Sequence, residues 1–383
     1  MRDAAAPLYT SRLFGAGAWL LASGAVLCVF MLVGTLGPFR FGLARGAPLR
    51  GIGLWETPGT DPEASRRRAG AWRRALPDDR ELRVASSLAE LRGAGVAVVA
   101  VSDARALADA DLAALLDFAR AGGGVLLAGS VAVVEPNGDW RGYAAMAQLL
   151  GVERIEVLPR AHSQALIAQA RGALSAPLLP GESIALVPEE GVPALPLAAA
   201  ELAWSGDPAG AADAPATARA AERRLRTGRG RLLWLAAGPE SSAQGLDAHG
   251  AMGRLLRAAF AWAAGEPLIE VVPPGWTRSG RGDADREQWR ALREVVAARV
   301  EQVGPDRLLV KLTSRAPRPQ GAILRLHGIP AARAARLSAT ELLQELPASE
   351  RDRDSGALEI AFPELPRAES QAFYVDLEAR NGA

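Results

Sequence analysis

The stretch VAVVEPNGDWRGYAAMAQLLG, residues 131–151, is where this chain gathers side chains able to hold a ligand. Glu135, Asn137, Asp139, Trp140 and Arg141 all fall there. An indole face stacks on a sugar ring, and carboxylate, amide and guanidinium groups bind hydroxyls, so the set suits a carbohydrate. The competing reading is a polar loop around a β-turn at Pro136–Gly138. Other chemistries are poorly supplied. Cys28 is the only cysteine and lies in an apolar run, so no intramolecular disulfide, zinc cluster or dithiol can form. His162, His249 and His327 lack metal-ligand spacing, and no metal site is expected. GRGR and RAGGG do not fit the phosphate-loop pattern, and no cofactor is expected.

Composition narrows the partners. The chain has 44 basic and 43 acidic side chains, a net charge of +1, which gives no electrostatic reason to bind nucleic acid. Lys311 is the only lysine, and the excess of Arg, Ala and Gly reads as the codon bias of a GC-rich bacterial genome.

The elements that position residues 131–151 follow from periodicity. GVAVVAVSD (95–103) reads as a buried strand. Residues 109–120 place Leu112, Leu115, Leu116 and Ala119 at helical spacing, with Asp109 as the cap and Gly122–Gly124 as the stop. GVLLAGS (124–130) is the next strand, so the three make a right-handed βαβ crossover in a parallel sheet. RGRLLWLAAG (229–238) is a further buried strand, and 252–264 an amphipathic helix with Leu255, Leu256, Ala259 and Trp262 inward. Residues 209–221 are Ala-rich and read as a surface loop. A helix is expected around 284–303, with Trp289, Leu292, Val296 and Val300 on one side. Four alternating runs, 307–314, 321–329, 357–362 and 371–379, predict a small antiparallel β-sandwich.

Two further features precede these. Between Arg12 and Arg40 there is no charge, and Gly17–Gly37 would reach roughly 30 Å as a helix, the thickness of a bilayer core. An uncleaved single-pass anchor is expected, with the body outside the cytoplasm. Residues 62–76 read as a helix carrying Arg66, Arg67, Arg68, Arg73 and Arg74. Asp61, Glu63, Asp78 and Asp79 bracket that cluster, which favours a solvated face over one that meets lipid headgroups or a phosphate.

The segment VAVVAVSDARALADADLAALLDFARAGGGVLLAGS resembles the class I glutamine-amidotransferase-like superfamily, including its trehalose-utilisation-like branch. GRGRLLWLAAGPESSAQ and LLRAAFAWAAGEP are similar to that branch's closing strand and helix. The resemblance implies an α/β domain of flavodoxin-like, amidotransferase-like type, and a Cys nucleophile with a His and a carboxylate. Here the turn after GVLLAG carries Ser130, and no cysteine occurs in the body. G-S-V-A-V does not match the G-x-S-x-G elbow. The alternative catalytic set is Ser130 with His249 as base and Asp247 to orient it.

The expected organisation is a head at 1–14, a transmembrane helix at 15–37, an α/β domain at 51–268, a linker and helix at 269–306 and a β-sandwich at 307–383. This order resembles bacterial envelope proteins associated with exopolysaccharide, some of which carry a deacetylase domain. The paired Asp and H-x-x-x-H ligands of such a deacetylase are absent from the sequence. The expected function is therefore non-catalytic: glycan or envelope-protein binding at the cell inner membrane, with a Ser-dependent amide or ester hydrolase as the alternative.

Overall fold

The structure is a computed structural model. It describes residues 51–57, 61–76, 81–168, 174–179, 181–195, 202–207, 221–224, 230–243, 247, 250–275, 283–304, 306–318, 320–329, 333–339, 348–351, 357–365 and 370–379. The chain is a mixed α/β protein with one parallel sheet and several antiparallel sheets. Among the described residues no helix is long and apolar enough to cross a membrane. The expected span at 15–37 lies outside the described residues.

The first elements alternate as the periodicity demands. Strand β1 (Ile52–Trp55) leads to helix α1 (Pro62–Ala75), then β2 (Leu82–Ala85), α2 (Leu88–Gly93), β3 (Val98–Ser102), α3 (Asp109–Arg120), β4 (Gly124–Ala128) and α4 (Ala144–Leu150). Short strands follow: β5 (Glu156–Leu158), β6 (Ala165–Ala168), β7 (Ser183–Ala185), β8 (Val192–Ala194) and β9 (Leu202–Ser205). Then come β10 (Ala221–Arg224), β11 (Arg231–Leu235) and α5 (Ala251–Ala264). The central sheet has the order β10-β11-β4-β3-β1-β2. All its pairings are parallel except that of β10 with β11. The strands expected within 95–103, 124–130 and 229–238 are thus neighbours.

β1, β3 and β4 are buried along their whole length, because helices cover a parallel sheet on both faces and leave no polar side to alternate with. Gly124 is required by this packing: a Cβ there would lie 2.4 Å from the carbonyl oxygen of Ala263 in α5. α3 buries Leu112, Leu115, Phe118 and Ala119, with Leu116 half-buried. Its start differs from expectation. Asp109 is the first helical residue rather than the cap, and Asp111 Oδ2 instead accepts the N–H of Ala108 at 3.2 Å. Asp109 is drawn away by an ion pair with Arg141.

Between α4 and β11 the sequence shows no periodic run that marks an element. The structure has a pair β5–β8 and a three-stranded antiparallel sheet β7-β6-β9. These strands are only three or four residues long, too short to show a period. The Ala-rich stretch lies outside the described residues up to Ala221, where β10 begins.

The remaining elements are β12 (Leu268–Val272), α6 (Asp283–Val295), β13 (Val296–Gly304), β14 (Arg307–Ser314), β15 (Gln320–His327), β16 (Arg333–Ala339), β17 (Ala348–Arg351), β18 (Leu358–Leu365) and β19 (Ser370–Ala379). They form two four-stranded antiparallel sheets, β12-β15-β18-β17 and β13-β14-β19-β16. The sheets share one apolar core that includes Leu324, Leu326, Ile360 and Phe362 from the first and Val310, Leu312, Phe373 and Val375 from the second. The segment 269–306, read as linker plus helix, supplies two of these strands besides α6. The helix stops at Val295 and runs straight into β13. Val296 and Val300 face the core as expected, but as alternate strand positions. A spacing of four is compatible with either period.

Candidate functional site

In an open parallel sheet the strand ends point their last residues at solvent-facing loops, and ligands bind where the build-up of the sheet reverses direction. Here that point lies between β1 and β3, since β2 sits on one side of β1 and β3 on the other. Each C-terminal end there carries a polar group: Glu56 after β1, and Ser102 and Asp103 at the end of β3.

Glu240 joins them from the turn after β11. Its carboxylate accepts from the Ser102 hydroxyl and from Trp72 Nε1, the latter at 3.0 Å. Trp72 and Ser102 are themselves buried. Burial pushes the Glu240 carboxyl above the usual range, opposed by the Ser102 bond, its own backbone N–H, the Arg68 charge and the Trp72 bond. Gly238 makes room for the arrangement: a Cβ there would lie 2.6 Å from Ser102 Oγ and from both Glu240 oxygens. On the neighbouring loop Glu56 accepts from the buried Ser65 hydroxyl of α1.

Asp103 has φ +44°, a left-handed conformation rare for a side chain larger than glycine and tolerated by Asp. Its N–H donates to Ala128 O at 2.8 Å. Its carboxyl is pushed up to about 6, first by lost hydration, then by the Glu189 charge, with Glu240 adding to this and Arg105 and Arg68 opposing it. The residue keeps exposed surface, so solvent screens these charges in part. Glu189 arrives on the loop between β7 and β8, tied down where Val187 N–H donates to Ser241 O at 2.7 Å. Asp103, Glu189 and Glu240 thus stand together with Arg68, Arg105 and Ser102, and the Asp103 carboxyl titrates at about 6. Such a group can give or take a proton, and within the set the Ser102 hydroxyl is engaged by Glu240.

The 131–143 loop lies beside this centre. Ala132 and Val134 N–H groups donate to Ala104 and Arg105 carbonyls. Its tip is a tight turn in which Gly138 N–H meets Glu135 O at 2.8 Å and Glu135 N–H meets Asp139 O at 2.8 Å. Asn137 and Asp139 bond each other through side chain and backbone. Arg141 is turned inward, with a side chain only 13% exposed. It pairs with Asp109 and with Glu135 (3.2 Å) and donates to Leu107 O at 3.0 Å. Trp140 is 60% exposed. It stands edge-on to Tyr143, with ring centres 5.7 Å apart, and Tyr143 Oη donates to Gly191 O at 2.7 Å.

No family model matches the chain. No curated protein matches it either. Solved structures similar to it include the β-galactosidase of Bacillus circulans sp. alkalophilus, 11% identical, covering 85% of this chain and 41% of that one, TM-score 0.38. The β-galactosidase of Halorubrum lacusprofundi is 15% identical, with 85% and 39% covered and a TM-score of 0.37. A ThuA-like protein from Bacteroides uniformis is 15% identical over 57% of this chain and 92% of its own, TM-score 0.32. The chain spans about two fifths of the length of these two β-galactosidases. Similarity this low carries no argument about family or activity.

Of the residues picked from sequence, the structure brings Glu135, Asn137, Asp139, Trp140 and Arg141 onto one ordered turn. Asn137, Asp139 and Trp140 point outward, while Arg141 is committed to holding the turn. Ser130 is half-buried at the end of β4, directly after Gly129 with φ +69°. Asp247 is exposed before α5, and His249 lies outside the described residues. Among the described residues no group of His, Cys, Asp and Glu is arranged to hold a metal ion. The sequence reading missed the carboxylate centre. Asp103 was findable, because it directly follows a buried strand; Arg68, Glu189 and Glu240 carry no sequence signal that would join them to it.

Proposed function

We propose that this chain is a single-pass protein of the bacterial inner membrane whose periplasmic body acts by binding rather than catalysis. In this reading the central sheet is a flavodoxin-like, amidotransferase-like domain followed by a β-sandwich. Its ligand is a glycan, with a role in exopolysaccharide handling; an envelope protein is the alternative partner. The observation that carries it is Trp140: a large indole held out to solvent on a turn that Arg141 and Tyr143 fix from beneath. A preformed aromatic face loses little freedom on meeting a sugar ring. The test is retention of full-length protein on the producing cell's own polysaccharide. Trp140→Ala should weaken retention about tenfold or more, and unchanged retention would defeat the glycan reading. Anchoring is tested separately: the full-length chain should stay with membranes through an alkaline carbonate wash.

A Ser-dependent hydrolase is the second reading. What supports it is the position of Ser130, immediately after a left-handed glycine at a strand end.

A further inference from the structure

Helix α1 turns Ser65, Ala69, Ala71, Trp72 and Ala75 inward. Arg68 is half-buried and faces the carboxylate centre. Arg66, Arg67, Arg73 and Arg74 remain exposed, and their spacing of seven puts both pairs on one face, two turns apart. Of the acids that bracket them in sequence, the two that are described, Asp61 and Glu63, do little to neutralise that face. Asp61 is engaged as the helix cap, accepting the N–H groups of Glu63 and Ala64. Glu63 meets Arg67 at 3.5 Å, but both side chains are more than 70% exposed, where such pairs are weak. Asp78 and Asp79 lie outside the described residues. The outer face of α3 differs, mixing Asp109 and Asp117 with Arg120.

The sequence before α1 has the same sign. After the uncharged run come Arg40, Arg45 and Arg50, and Glu56 is the first acid. Glu56 is engaged by Ser65. We propose that the outer arginine face of α1 docks on the anionic headgroups of the membrane in which residues 15–37 are anchored. This rests on the anchoring read above. A guanidinium meets a phosphate oxygen pair through two parallel N–H bonds, and basic residues beside a span are drawn to an anionic leaflet. Fourteen residues separate Gly37 from Ile52, and a stretch of that length spans at most about 50 Å, so the anchor does not keep α1 from reaching the surface.

The experiment uses full-length protein in phosphatidylcholine nanodiscs with and without phosphatidylglycerol. Arginine labelling by phenylglyoxal is read residue by residue by mass spectrometry. Arg66, Arg67, Arg73 and Arg74 should label at least about fivefold more slowly in the anionic discs, and high salt should abolish the difference. Arg120 and Arg290 should label alike in both. Equal rates at the α1 arginines, or equal slowing at Arg120, overturns the proposal. Slowing by inorganic phosphate without anionic lipid also overturns it. If the chain fails to enter discs, the anchor reading fails and vesicles are added to it instead. Salt-sensitive sedimentation with anionic vesicles alone, lost in the R66E/R67E/R73E/R74E variant, then supports the docking face. Sedimentation indifferent to lipid charge refutes it.

Discussion

The hydroxyl of Ser102, at the end of β3, donates to the carboxylate of Glu240, 138 residues away in the turn after β11. Trp72 of α1 donates to the same carboxylate, so one acid ties a helix and two strand ends of the central sheet together. Removing it leaves a buried hydroxyl and a buried indole N–H without this acceptor. Glu240→Ala should therefore cost about 2–3 kcal/mol in chemical denaturation. Glu240→Gln, which keeps an acceptor and the shape, should cost less than half of that. A Glu240→Ala variant as stable as the parent would show that the tie is not structural.

The two raised carboxyls set the sign of a pH effect. Asp103 titrates at about 6 in the folded chain against an ordinary value of 3.8, and Glu240 shifts the same way. The folded state therefore holds these protons more tightly than the unfolded state. For Asp103 the stabilising contribution is full below about pH 4 and is lost as pH rises through about 6, and that of Glu240 is likewise lost as pH rises. For Asp103 the effect is screened by its exposure and should not exceed about 1 kcal/mol. Asp103→Asn should flatten the fall in melting temperature between pH 5 and pH 7. A slope identical to the parent's would mean that Asp103 titrates normally.

Arg141 distinguishes a supporting role from a binding one. Its guanidinium bonds Asp109, Glu135 and the Leu107 carbonyl. Lysine cannot reproduce that fork. Arg141→Lys should destabilise the chain by about 1–2 kcal/mol and raise amide exchange through residues 134–140. Direct glycan contact by Arg141 would instead leave exchange unchanged and weaken binding alone.

Ser130→Ala tests the hydrolase alternative. With no nucleophile in use, complementation of an envelope phenotype in the native bacterium should be unaffected. A folded, abundant Ser130→Ala protein that fails to complement would replace the binding reading, since loss of a true nucleophile lowers rates by orders of magnitude.

Sequence by itself determined the βαβ core. Runs such as VAVVAVS and GVLLA are apolar at every position, and only a sheet covered on both faces accommodates that, so β3, β4 and β11 fall where their composition requires. It also determined the strands in the runs 307–314, 321–329, 357–362 and 371–379, since alternation such as that in RLLVKLTS leaves one face apolar; β16 and β17 were not legible in this way. It could not divide 283–304 into helix and strand, because Val296 and Val300 fit both periods and pairing with β14 decides between them. Nor could it assemble the carboxylate centre. Arg68, Asp103, Glu189 and Glu240 come from four separate segments, and only the stacking of strand ends and the packing of α1 bring their charges within reach of one another. The fate of Arg141 was likewise tertiary. A guanidinium in a polar loop reads as a ligand group until the fold supplies Asp109, Glu135 and Leu107, which hold it by charge and hydrogen bonds that no local pattern encodes.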